Sequence, residues 1–251
     1  MAGAGAHNRP PMLKPDNALF LDFDGTIAAF AQHPDGVKLD AEVPALLEQL
    51  RARLGGAVAL VTGRSLATLD AIAGLPAFPA AGLHGLELRY EGGLATSLGR
   101  PDGARRIAER LRERFGADPR IVVEDKGAAV ALHWRQAPER AAECIAAMRE
   151  AVGSPAFEIL EGHAVVEARP HGTHKGAAVV ALSRHGSFAG RRPVFVGDDQ
   201  TDEDGFHAAA ALGGYGVKVG PGPTAARFRI EGVESVHAWL AAGLAALEEL
   251  R

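Results

Sequence analysis

The chain has 251 residues, 47% of them hydrophobic and 23% charged, with a formal net charge of -4. That suits one large or two modest soluble domains, and the mildly acidic balance argues against a nucleic-acid partner. A single cysteine, Cys144, excludes an internal disulfide, and no apolar run nears the roughly 18 residues of a membrane span; a cytoplasmic protein with no membrane partner is expected, a monomer by default.

Residues 1–16 hold three prolines and no apolar run. They lack the pattern of a secretory signal and read as a disordered tail. Residues 18–21 then form a buried strand running into Asp22. Over 43–54 the spacing predicts a helix, with Leu46, Leu47, Leu50 and Leu54 on one side. Residues 57–61 are a second strand, Ser65 caps a helix through Ile72, and 79–83 suggest a third strand. The middle changes character. Segments 87–90 and 94–96, 120–124 and 128–134, and 157–160 and 164–168 each flank a turn-forming centre, as hairpins do. Amphipathic helices over 104–115 and 138–152 separate them. Buried strands return at 193–196 and 215–219, followed by a helix over 236–250. The expectation is therefore an α/β fold: a Rossmann-like parallel-sheet core over 17–86 and 170–251, split by an inserted α+β domain over 87–169.

Chemistry concentrates at the predicted strand ends. Asp22 and Asp24 in Asp22-Phe23-Asp24-Gly25-Thr26 lie two apart on a strand end and project together, where ligands of parallel sheets bind. Two carboxylates that close call for a cation, and hard oxygen donors favour Mg²⁺; the bland alternative is an Asp-Gly turn. Thr62, at the tip of the second strand in Val61-Thr62-Gly63-Arg64, offers a hydroxyl and adjacent amides to phosphate oxygens. Lys175 opens a helix and offers a point charge. Gly197-Asp198-Asp199-Gln200-Thr201-Asp202-Glu203 supplies carboxylates past another strand, or else caps a helix.

These segments, in this order, resemble the haloacid dehalogenase-type phosphatases, in the branch with an α/β cap inserted after the second motif. The resemblance implies Asp22 as nucleophile and Asp24 as acid/base. It also implies Thr62 and Lys175 as phosphate-binding and Mg²⁺ held by Asp22, the Asp24 carbonyl and Asp198. Asp199 and Asp202 would support that metal. Phe23, Gly63 and Arg64 join the substrate-binding set.

Gly82-Leu83-His84-Gly85, Val123-Glu124-Asp125-Lys126-Gly127, Ala131-Leu132-His133-Trp134-Arg135 and Val166-Glu167-Ala168-Arg169-Pro170 narrow the likeness. With the seven-residue acidic motif they resemble the trehalose-6-phosphate phosphatase family, implying a sugar-phosphate substrate and the last step of trehalose synthesis. A phosphatase of sucrose phosphate or a glucosyl-glycerate phosphate, and a non-catalytic sugar-phosphate sensor, are the alternatives. A disaccharide's hydroxyls need charged acceptors and donors, and Lys126, Glu167 and His133 could supply them in the cap. Glu124 could do the same or pair with Lys126, and Arg135 could equally be surface charge. His163 and His171 read as loop residues, and His84 as a hinge or pocket wall.

Overall fold

The structure, a computed structural model, describes residues 9–29, 37–91, 93, 95–97 and 102–250 and divides into two compact units, Met1–Thr96 with His174–Arg251, and Ser97–Thr173. The first unit holds an eight-stranded sheet. Before the second unit the chain contributes β1 (Asn17–Leu21), β2 (Val58–Val61), β3 (Ala80–Gly82), β4 (Glu87–Arg89) and β5 (Ala95–Ser97); after it come β10 (Arg192–Gly197), β11 (Tyr215–Val219) and β12 (Phe228–Ile230). Their spatial order is β12-β11-β10-β1-β2-β3-β4-β5, parallel from β12 to β3, with β4 antiparallel to β3.

Alternation along the central strands explains why they are buried on both faces. Leu19, Leu21, Val58, Leu60, Val194 and Val196 pack on one face with α1 (Val43–Arg53), α2 (Leu66–Ala73) and α7 (Val233–Glu249). Phe20, Ala59, Val61 and Phe195 pack on the other with α5 (Lys175–Leu182) and α6 (Glu203–Ala211). Each large side chain so buried contributes roughly 1.5–3 kcal/mol. The ends of β10, β1 and β2, three neighbours in the sheet, therefore stand side by side and carry Asp198, Asp22 and Thr62.

The second unit has a four-stranded antiparallel sheet, ordered β6 (Val122–Asp125), β7 (Val130–His133), β9 (Val165–Pro170), β8 (Phe157–Gly162). Val130, Leu132, Val166 and Ala168 pack against Ile107 and Leu111 of α3 (Asp102–Phe115) and Cys144 and Met148 of α4 (Ala141–Val152). The opposite face carries Glu124, Ala131 and Glu167 in one register row and Arg169 beside Glu158 in the next. Helices thus lie on one face and charge on the other. The α/β fold with its antiparallel insert is as expected, and among the described residues no helix is long and apolar enough to cross a membrane.

Two expected boundaries need correction. The segment from residue 87 is not in the insert: β4 pairs with β3, and its buried Arg89 forks onto Asp70 of α2 at 2.7 and 2.8 Å while reaching the Phe78 carbonyl at 2.7 Å. The second unit runs over Ser97–Thr173 rather than 87–169. Of the expected disordered tail, residues 1–8 lie outside the described residues, but Pro10 and Leu13 within 9–16 are buried. Leu13 is 2% exposed and sits so close to Gly243 that a β-carbon there would meet it at 3.0 Å, and Trp239 Nε1 donates to the Pro11 carbonyl.

Candidate active site

Asp22 follows the last residue of β1, its N–H held by the Val196 carbonyl at 2.9 Å. The chain then turns: Gly25 takes the left-handed φ of 78°, and the Phe23 carbonyl accepts from the N–H groups of Ile27 and Ala28. This brings Thr26 back, its Oγ1 standing 3.4 Å from both Asp22 Oδ2 and Asp198 Oδ1. The Phe23 side chain is in the core at 0% exposure, so only its main chain can face a ligand.

Lys175, 3% exposed, begins α5 and donates to Asp22 Oδ1 at 2.6 Å and Asp202 Oδ1 at 2.7 Å. His174 caps this helix, Nδ1 accepting from the Ala177 N–H at 3.2 Å, a role its sequence position did not announce. Asp202 uses its other oxygen on the N–H groups of Asp198 and Asp199, at 2.8 and 2.9 Å. Asp202 packs so close beneath β10 that a β-carbon on Gly197 would lie 2.3 Å from it, so glycine is required there. Asp199 accepts from the Thr201 N–H, so the acidic motif both caps a turn and points carboxylates into the site.

At the neighbouring strand end, Arg64 grips Asp24 in a fork, Nε and Nη2 each 2.7 Å from a carboxylate oxygen. Thr62 is buried, and its Oγ1 accepts from the Arg64 N–H at 3.1 Å. His84, at a left-handed φ of 57°, lies over Gly63: a β-carbon there would come within 2.8 Å of its Nε2. The His84 N–H donates to the Thr62 carbonyl, making it a wall of the Thr62–Arg64 loop.

The charge balance of the buried cluster is negative. Burial first, and the Asp202 carboxylate second, push Asp22 well above the usual carboxylate range against the pull of Lys175. Burial with Asp202 and Asp199 lifts Asp198 to about 6, and burial also raises Asp202. Lys175 resists its own burial because Asp202 and Asp22 face it, and it is held above its ordinary value. Asp199 goes the other way: burial opposes its charge, but Lys175 and the hydrogen bonds from Thr201 and Asp202 outweigh it. Carboxylate oxygens of Asp22, Asp198 and Asp202 lie within 4.8 Å of one another. An all-oxygen set with surplus negative charge fits a hard divalent cation.

A pH prediction follows for metal-free protein. Asp198 ionises near its ordinary value when unfolded but only around pH 6 when folded, so the folded state binds the extra proton and wild type loses stability as pH rises through that window. The stability gap between Asp198→Asn and wild type, measured by thermal melts in chelator, should move in favour of the variant between about pH 4 and pH 7 and then level off. A gap independent of pH would contradict the assignment.

In the second unit, Lys126 Nζ lies 2.6 Å from Glu167 Oε2, and His133 Nε2 lies 2.9 Å from Glu124 Oε2. Lys126, His133 and Glu167 are thus gathered on the strands and turn of one sheet, while Asp22, Asp24, Thr62, Gly63, Arg64, Lys175 and Asp198 are gathered in the first unit. Arg135 and His163 are exposed, and His171 is a loop residue 3.9 Å from Glu158.

A parallel sheet with an aspartate-bearing strand end and an antiparallel insert is the fold of the haloacid dehalogenase class. A phosphatase of the haloalkanoate (HAD) superfamily from Bacteroides thetaiotaomicron superposes with a TM-score of 0.61 at 16% identity, covering 98% of each chain. The C-terminal domain of a Candida albicans trehalose-6-phosphate phosphatase superposes with a TM-score of 0.79 at 20% identity, covering 96% of this chain and 99% of that one. The trehalose-phosphatase family profile matches residues 20–233. A trehalose-6-phosphate phosphatase of Escherichia coli (strain K12) is 41% identical over 243 residues, 96% of this chain and 91% of its own. The chain belongs to the trehalose-phosphatase family.

Proposed function

We propose that this chain hydrolyses trehalose 6-phosphate to trehalose and phosphate, carrying the phosphoryl group on Asp22. The observation that supports it most is the Asp22–Lys175 contact of 2.6 Å, which joins the buried carboxyl at the end of β1 to the buried lysine that opens α5, beside the forked Asp24–Arg64 pair. An Asp22 oxygen attacks phosphorus in line and the bond to the sugar oxygen breaks. Asp24 gives its proton to that oxygen, releasing trehalose. Asp24, now a carboxylate, takes a proton from the water that attacks the same phosphorus, and phosphate leaves with Asp22 restored. The Thr62 hydroxyl, the Gly63 and Phe23 main chain, Arg64 and Lys175 hold the phosphate oxygens. Asp22, Asp198 and the Asp24 carbonyl, with Asp202 behind them, would hold Mg²⁺, which would supply charge neutralisation at the transferring group.

On this reading the charged face of the second unit's sheet reads the sugar. Lys126 offers donors and Glu124 and Glu167 offer acceptors to hydroxyls. A hydrogen bond to a charged group contributes about 1.5–3 kcal/mol, so Lys126→Ala should lower kcat/KM for trehalose 6-phosphate by roughly 10- to 100-fold. The hydrolysis of a small aryl phosphate should change much less. Equal losses on both substrates would sink this role. The activity itself is tested by a phosphate-release panel: turnover of trehalose 6-phosphate no better than that of glucose 6-phosphate or sucrose phosphate would reject the substrate.

A further inference from the structure

Lys218 is a lysine in the interior of a sheet. It lies on β11, in register with Gly197 of β10, and is only 5% exposed. An ammonium removed from water is costly unless its donors are satisfied. Here two main-chain carbonyls receive it: that of Val219 at 2.7 Å, and that of Asp198. Neither is a carboxylate, so the contact is not an ordinary ion pair.

The Asp198 carbonyl is where the consequence lies. The Asp198 N–H is already held by Asp202 Oδ2 at 2.8 Å. With Lys218 on its C=O, both main-chain polar groups of this residue are clamped, one from each side. A residue held at both ends has little freedom in φ and ψ, and its carboxylate stays aimed at Asp22 and Thr26. Asp202 is itself fixed by Lys175, so the clamp runs from Lys175 through Asp202 and Asp198 to Lys218.

We propose that Lys218 is a positioning residue for the divalent-metal site, acting through the Asp198 main chain; this rests on the reading of Asp22 and Asp198 as metal ligands. Outer-shell partners of this kind change metal affinity by roughly 10- to 100-fold. Lys218→Met should therefore weaken Mn²⁺ binding, followed by calorimetry with the metal alone, by about that factor. The Mg²⁺ concentration for half-maximal phosphate release should rise in parallel, with much of the lost activity returning at saturating Mg²⁺. Lys218→Arg, which keeps charge and donors, should recover part of the affinity.

If wild type binds no Mn²⁺, the metal-site reading itself fails. If wild type binds it and folded Lys218→Met binds it equally well, the role of Lys218 alone is overturned. Should Lys218→Met lose its circular-dichroism spectrum, Lys218→Gln, which retains an N–H donor, is measured in its place. Loss of fold in both would assign Lys218 to stability and overturn the proposal.

Discussion

Asp22→Asn should lower phosphate release from trehalose 6-phosphate by about 10⁴-fold or more, as removal of a nucleophile from a concerted site does. The amide cannot take up the phosphoryl group, while its shape fills the same space. Stability should not fall with activity. Asp22 is a carboxylate whose ionisation is opposed by burial and by Asp202, and Lys175 keeps Asp202 as a partner when Asp22 is neutralised. Steady-state phosphate release and a thermal melt on the same sample separate the two effects. Turnover within tenfold of wild type, or an unfolded variant, would contradict the assignment.

Lys175→Met should damage both properties. Its ammonium lies 2.6 Å from Asp22 and 2.7 Å from Asp202, and all three side chains are buried. Taking it away leaves two buried carboxylates facing each other, a change that costs about 3–5 kcal/mol when one partner of a buried ion pair is removed. Activity should vanish with the phosphate contact. The stability loss has a direction in pH: without the ammonium both carboxyls hold protons more tightly in the folded state, so the penalty is felt once pH rises above the ordinary carboxylate range and shrinks in acid. Urea denaturation should show a larger deficit at about pH 7.5 than at about pH 5. Adding Asp202→Asn should restore stability but not turnover. A deficit unchanged by pH would argue that Lys175 does not neutralise this pair.

Much of this site was legible from residues alone because strand ends announce themselves. An apolar run ending in Asp-x-Asp-Gly, a second ending in Thr-Gly-Arg and a third ending in Gly-Asp-Asp point to one edge of a parallel sheet, where β10, β1 and β2 lie adjacent. What was not legible is reach. Nothing in the spacing says that Arg64 folds back onto Asp24, or that Thr26 stands between Asp22 and Asp198. Lys218 sits in Tyr215-Gly216-Val217-Lys218-Val219, where a lysine reads as an edge or surface charge, and only the register with Gly197 puts it under Asp198.

The insert boundary shows the same limit at the level of the fold. A short hairpin at 87–96 looks alike whichever sheet it joins; the deciding contact is Arg89 to Asp70, which ties it to α2. Likewise a lone Leu13 among prolines carries no periodicity, yet it fills a space beside α7 left by Gly243. β12 was missed because Phe228–Ile230 is three residues long and holds an arginine, Arg229, at its centre. That arginine donates to the carbonyls of Gly220 and Gly222, bracing the loop that leads from β11 into this edge strand.

On its way from trehalose 6-phosphate to water, the phosphoryl group is expected to pass through Asp22. Acid quenching during turnover, followed by borohydride reduction and peptide mass spectrometry, tests it directly, because an acyl phosphate is reduced to the alcohol where it formed. Homoserine is expected at position 22, formed with trehalose 6-phosphate and absent without substrate. Rapid turnover with residue 22 unmodified, or with the alcohol at another carboxylate, would contradict it.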